Sequence, residues 1–207
     1  MPAADVPGPT SNQLAFPLTY ARMTQHVQLV QLLATRSARR GQFTLASGKQ
    51  STLYIDARLT TMSPEGLHLI GQLGLAMIHE TWSADAIGGL TLGADPIAYA
   101  ISYASARTNH PLRAFTVRKE AKTHGTGKLI EGPFQAGDRT VIIEDVITTG
   151  GSALKAIAAV QLAGGLVVGV LALVDREEGG REAIEAVGIP VTSLVTAHEL
   201  LPLIDAS

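Results

Sequence analysis

The reading turns on Val141 to Ala156, "VIIEDVITTGGSALKA". Three apolar residues lead into Glu144 and Asp145, a turn of Thr and Gly follows, and Ser152 opens a helix-forming run. Strand, glycine turn and helix in this order predict a βα unit. The turn then lies at the carboxyl end of its strand, where open parallel sheets place their ligands. Backbone N–H groups at a helix start lack partners and carry partial positive charge. Thr148, Thr149, Gly150, Gly151 and Ser152 therefore suit a phosphate monoester, with hydroxyls as extra donors. The acids would repel a phosphate set directly on them, so they must face something else. Hydroxyl groups fit, because a carboxylate accepts hydrogen bonds from them. A sugar phosphate meets both demands. Taken singly, the acids read as a strand end and the turn as a helix cap; their adjacency favours a site.

The rest of the chain carries the same alternation. Met23 to Arg36 has helical spacing, and "GQFTLASGKQSTLYIDARL" alternates apolar and polar residues around a Ser-Gly turn, as two short strands would. Ser63-Pro64-Glu65 is a helix start, with the helix running to about Trp82. "DAIGGL" reads as a strand, "TLGADP" as a loop, Ile97 to Ala106 as a helix and Leu112 to Val117 as a strand. "RKEAKTHGTGKLIEG" is a polar, glycine-bearing loop. "RTVIIED", "LVVGVLALVD" and "IPVTSLV" are strands separated by helices over Ser152 to Leu162 and "REAIEAVG", and a short helix ends the chain. Apolar strands alternating with helices imply a parallel sheet covered on both faces. The expected fold is α/β, a doubly wound, mostly parallel sheet over 63–207, preceded by a small α+β hood at 19–62 and a disordered tail at 1–18.

Composition narrows the function classes. The chain has 207 residues, 46% apolar and 16% charged, which excludes a disordered chain. No segment has the uninterrupted apolar length of a membrane span, and "MPAADVPGPTSNQLAFP" lacks the features of a secretory signal. A net charge of −2 gives no general pull toward nucleic acid. With no cysteine there are no disulfides or thiolate sites, which fits a reducing compartment; a cytoplasmic protein is expected. G-x-x-x-x-G-K-[ST] and G-x-G-x-x-G are both absent around the turn, which disfavours nucleoside triphosphatases and dinucleotide enzymes. His26, His68, His79, His110 and His198 show no metal-ligand spacing. In the polar loop, Arg118, Lys119, Lys122 and Lys128 surround His124, and Gly125 and Gly127 keep the backbone pliable. Such a loop can close over a diphosphate and screen it from water.

"VIIEDVITTGGSA" closely resembles the ribose-phosphate signature of type I phosphoribosyltransferases, which use 5-phosphoribosyl 1-diphosphate with Mg2+. Three further segments resemble the orotate phosphoribosyltransferases among them: "FTLASGKQSTLYIDAR", "RKEAKTHGTGKLIEG" and "LVDREEGGREAI". The resemblance implies that Glu144 and Asp145 hold the ribose hydroxyls, while Val146, Ile147 and Thr148 to Ser152 complete the sugar-phosphate site. It further implies that Arg118, Lys119, Lys122 and His124 reach the diphosphate. Lys119, Lys122, His124 and Asp145 are the expected catalytic residues, with His124 or Lys122 as proton donor. Thr148 and Arg176 are expected on orotate; the lesser reading of Arg176 is a surface ion pair with Glu177 or Glu178. No metal is expected to be held mainly by protein side chains; Mg2+ would sit on substrate oxygens. The implied assembly is a homodimer whose basic loop serves the neighbouring site, without nucleic acid or membrane. Two departures stand out: Ala46 where many members have Lys, with Lys49 nearby, and Leu92-Gly93 where many have Tyr-Lys. The amides of Thr91 to Ala94 can still meet a diphosphate.

Overall fold

The computed structural model of the chain describes residues 12–44, 50–120 and 128–204. Lys122, His124, Ala46, Lys49 and the first residues of the expected tail lie outside them. The described elements are α1 (Asn12–Arg36), β1 (Ala38–Thr44), β2 (Gln50–Ile55), α2 (Arg58–Thr61), α3 (Pro64–Thr81), β3 (Ala86–Leu90), α4 (Ala94–Ser105) and β4 (Arg113–Val117). They continue with β5 (Ile130–Glu131), β6 (Arg139–Ile147), α5 (Gly151–Leu162), β7 (Leu166–Asp175), α6 (Gly180–Glu185), β8 (Val191–Thr196), α7 (Ala197–Leu200) and a 3-10 turn at Leu201–Leu203.

Local chemistry explains most of these limits. Ser63 caps α3, its Oγ accepting from Gly66 N at 3.1 Å, with Pro64 in the first turn. Thr196 and Glu199 form a reciprocal capping box on α7. α4 begins at Ala94, inside the segment read as a loop, because a proline such as Pro96 is tolerated in a first helical turn. α1 begins at Asn12, inside the segment read as a tail. Gln13, Leu14 and Ala15 are residue types that favour a helix. Two short elements were not foreseen, α2 and β5; β5 adds two antiparallel residue pairs beside β4.

The main sheet has the order β5-β4-β3-β6-β7-β8. Every pairing in it is parallel except β4–β5. Side chains alternate across it as the pleat requires. Val141, Ile143, Leu171 and Leu173 face a cluster built with α1, α3 and α4; Ile142, Val170 and Ala172 face one built with α5 and α6. Both faces are therefore covered, as expected for a doubly wound α/β fold. β1 and β2 form a separate antiparallel hairpin. The preceding helix is not separate: Leu29 and Leu33 of α1 are fully buried in the same cluster as Ile70, Ile101 and Val141.

The order of the strands locates the site. From β3 the chain crosses to β4 on one side; from β6 it crosses to β7 on the other. β3 and β6 are adjacent, and their exits diverge, opening a crevice at their carboxyl ends. Among the described residues no helix is long and apolar enough to cross a membrane.

Candidate active site

The crevice is formed by two turns. Residues 91–93 join β3 to α4, and residues 148–150 join β6 to α5. The first turn is pinned by Asp95, buried in α4, which accepts from Thr91 Oγ1 at 2.7 Å and from Thr116 Oγ1 at 2.8 Å. Gly93 lies against Asp145, and a Cβ there would collide with the carboxylate. The glycine is thus what lets the two turns approach. The second turn needs Gly150 in the left-handed region, at φ 77°, where other residues are strained. Gly180 at the start of α6 packs directly behind it.

α5 starts without a side-chain cap and without an acid in its first turn. Thr149, Gly151 and Ser152 are exposed there. An uncapped, solvent-facing helix start after a left-handed glycine is well suited to an anion. At the strand end the chemistry reverses. Glu144 is 8% exposed, and its Oε2 is buried without a hydrogen-bond partner. Burial pushes its carboxyl well above the usual carboxylate range, and the neighbouring charge of Asp145 pushes further the same way. Asp145 is more open and accepts from Val146 N at 2.9 Å.

A cavity of about 300 Å3 joins these features. Glu144, Asp145, Ser152 and Lys119 line it together, and the turn Thr91–Gly93 forms one wall. A second cavity of about 700 Å3 shares Lys119 and Ser152 with it and adds Arg118 and Lys155. Arg118 is paired with Glu131 at 3.5 Å. The side chains of Val146 and Ile147 point away from the cavity: Val146 packs on one core cluster and Ile147 is buried in the other. Thr148 and Arg176 stand at adjacent strand ends, where Arg176 N donates to Ile147 O at 3.0 Å. The alternative ion pair of Arg176 forms with Glu178 at 2.6 Å, with the arginine side chain buried at 3% exposed and the Glu178 side chain reaching the surface at 35%.

The opposite wall was not foreseen. Tyr54, Asp56 and Arg58 come from the end of β2 and the start of α2. Asp56 holds the Arg58 guanidinium by two parallel bonds, Nε to Oδ1 at 2.8 Å and Nη2 to Oδ2 at 2.9 Å. That pairing lowers the Asp56 pKa and raises that of Arg58. Strand alternation in "TLYID" gave a usable signal, because it sets Tyr54 and Asp56 on the face opposite the buried Leu53. Among the described residues no group of three or more His, Asp or Glu could hold a metal ion by itself.

The state of Glu144 makes a testable consequence. Its folded pKa is raised, so the folded protein binds more protons than the unfolded chain between the two pKa values, and stability falls as pH rises through that window. Replacing Glu144 with Gln removes this loss. In ligand-free thermal melts, Glu144→Gln is expected to match the parent near pH 4 and to exceed it increasingly toward pH 8. Parallel Tm-versus-pH curves for the two proteins would contradict the assignment.

No protein-family model matches the chain. It is 48% identical over 182 residues to the orotate phosphoribosyltransferase of Aquifex aeolicus, covering 86% of this chain and 99% of that protein. The crystal structure of Mycobacterium tuberculosis H37Rv orotate phosphoribosyltransferase in complex with Fe(III) dicitrate aligns with a TM-score of 0.76 at 44% identity, over 86% of this chain and 99% of the other. The same enzyme in complex with 5-phospho-alpha-D-ribosyl 1-diphosphate aligns with a TM-score of 0.72 at 41% identity, over 85% and 98%. Likeness of this extent in sequence and in three dimensions carries one conclusion: the chain belongs to the orotate phosphoribosyltransferase family.

Proposed function

We propose that the chain transfers the 5-phosphoribosyl group from 5-phosphoribosyl 1-diphosphate to orotate, giving orotidine 5′-monophosphate and diphosphate. The observation that carries this is the single cavity in which Glu144, Asp145, Ser152 and Lys119 meet at the divergence of β3 and β6. The 5-phosphate rests on the main-chain donors of 148–152. The ribose hydroxyls donate to Glu144 and Asp145, which gives the orphaned Glu144 Oε2 a partner. The diphosphate then extends toward Thr91–Gly93, Arg58 and Lys119. Thr148 and Arg176 take orotate, and the β1–β2 hairpin acts as a hood over the base.

In the reaction, the orotate nitrogen gives up its proton to solvent and forms a bond to the anomeric carbon as the carbon–oxygen bond to diphosphate breaks. The electron pair leaves with the diphosphate. The protein lowers the barrier by holding both partners in line and by placing cations where negative charge develops. Lys119 and Arg58 do this from the described residues; by family resemblance Lys122 and His124 join them, with His124 or Lys122 delivering a proton to the leaving group. Glu144 and Asp145 stand near the positive charge that grows on the ribose ring, where the more open Asp145 supplies the negative charge. Their oxygens, together with substrate hydroxyls and phosphates, are a donor set that fits the hard cation Mg2+. When bound, this ion neutralises part of the diphosphate charge. A cytoplasmic location follows from this reading of the chain as a biosynthetic enzyme.

The partner in this reading is a second copy of the chain. α3 and α4 border an apolar groove of about 460 Å3 lined by Leu67, Gly71, Tyr99 and Tyr103. Tyr103 is 86% exposed, and Leu59, Met62 and Leu92 near the cavity are also exposed. An apolar patch of this kind beside a catalytic cleft supports a dimer face, with the basic loop of each copy acting in its neighbour. Tyr103→Asp is expected to yield monomers in analytical ultracentrifugation and to lose most activity; a fully active monomer would exclude action in trans.

A phosphoribosyltransferase for another base, or a regulator that merely binds the sugar diphosphate, is the alternative. Steady-state assays separate them. Orotate should be consumed in the presence of the sugar diphosphate and Mg2+, while hypoxanthine, adenine and uracil should not. Lys119→Ala should lower kcat on the order of 100-fold. Failure with orotate overturns the substrate, and unchanged kcat in Lys119→Ala overturns the placement of the diphosphate.

A further inference from the structure

Arg176 is closed off in the free protein. Its Nη2 donates to Glu178 Oε1 at 2.6 Å and to Ser51 Oγ at 2.6 Å. Its Nε is buried without a partner among the described residues. The guanidinium is therefore under-satisfied, yet a carboxylate cannot reach it as it stands. Ser51 belongs to the β1–β2 hairpin and is fixed by its own bonds, accepting from Leu53 N at 3.1 Å and donating to Leu53 O at 2.9 Å. Glu178 differs. Its side chain is 35% exposed, against 3% for Arg176, so it borders water and can turn into it.

The backbone that brings Glu178 back onto Arg176 is itself unusual. Glu177 has φ 57°, the one non-glycine residue in the left-handed region among the described residues. Such a conformation persists only where its surroundings enforce it. Here Glu177 N donates to Asp175 Oδ1 at 2.8 Å, and Glu177 Oε2 accepts from His198 N at 2.9 Å. The neighbouring cation Arg181 offers Glu178 no substitute, for it is engaged by Asp175 at 2.9 Å and by Val191 O at 2.6 Å. The turn after β7 is thus held so that an acid two residues on covers the arginine.

We infer that Glu178 is an internal carboxylate that occupies the Arg176 berth in the free protein and is displaced by the carboxylate of orotate. This rests on Arg176 being the orotate residue. An isolated buried guanidinium is costly, whereas exchanging one carboxylate for another keeps its charge paired. The exchange also selects. A base without a carboxylate has nothing to offer Arg176 in return and leaves the pair closed, so uncharged pyrimidines are refused by competition as well as by lack of contact.

The test uses steady-state kinetics of the full-length enzyme with orotate and uracil. Glu178→Gln keeps the shape of the side chain and removes its charge. It should lower the KM for orotate by roughly 3- to 10-fold, leave the KM for the sugar diphosphate unchanged, and enlarge the rise in Tm that orotate produces. An orotate KM that is unchanged or raised in Glu178→Gln, while Arg176→Gln raises it strongly, overturns the displacement and leaves Arg176 as the orotate residue. If Arg176→Gln itself leaves the orotate KM unchanged, the underlying reading of Arg176 fails instead.

Discussion

Two carboxylates at the end of β6 stand one turn away from a helix start that attracts anions. This opposition of charge within one short segment constrains everything around it. Glu144 is buried with an unpartnered oxygen, a position that costs stability unless a ligand supplies hydrogen-bond donors. The start of α5 is uncapped, and Thr149, Gly151 and Ser152 there face solvent. Only a ligand with hydroxyls at one end and an anion at the other relieves both conditions together. The fold exists to hold that opposition still: β6 is central in the sheet, paired to β3 and β7, and both of its faces are covered.

The cations are arranged outside this pair rather than on it. Lys119 lies past the end of β4, Arg58 follows the hairpin and is held by Asp56, and Arg176 directly follows β7. Each comes from a different element, so each can meet a different part of the same substrates. Rigid strand ends set their distances, which positional catalysis needs. Gly93 and Gly180 bring the walls close without intruding side chains.

Much of this was legible in the sequence, for identifiable reasons. "LVVGVLALVD" is read correctly to the residue as β7 because a strand buried on both faces is apolar throughout. Ser63-Pro64 marks the start of α3 because capping chemistry is local. The strand, acids, turn and helix of 141–156 are contiguous, so one segment shows the core of the site. What escaped depends on distance in the chain. β5 is two residues held by pairing with β4, by the packing of Ile130 on a core cluster and by the Arg118–Glu131 pair. The Asp56–Arg58 fork carries no anion-binding pattern, and only the folded hairpin brings it opposite Asp145. The sequence offered Arg176 either a ligand or an ion pair. Folding supplies the ion pair, with its arginine buried and its acid at the surface, a division that local charge counting does not show.

Isothermal titration of orotidine 5′-monophosphate against its 2′-deoxy counterpart probes the central opposition directly. The two ligands share phosphate and base and differ by one hydroxyl aimed at the acids. A hydrogen bond to a charged group predicts at least a roughly tenfold weaker affinity for the deoxy compound, with the difference abolished in Asp145→Asn. Equal affinities in the parent protein would mean that the carboxylates do not grip the sugar.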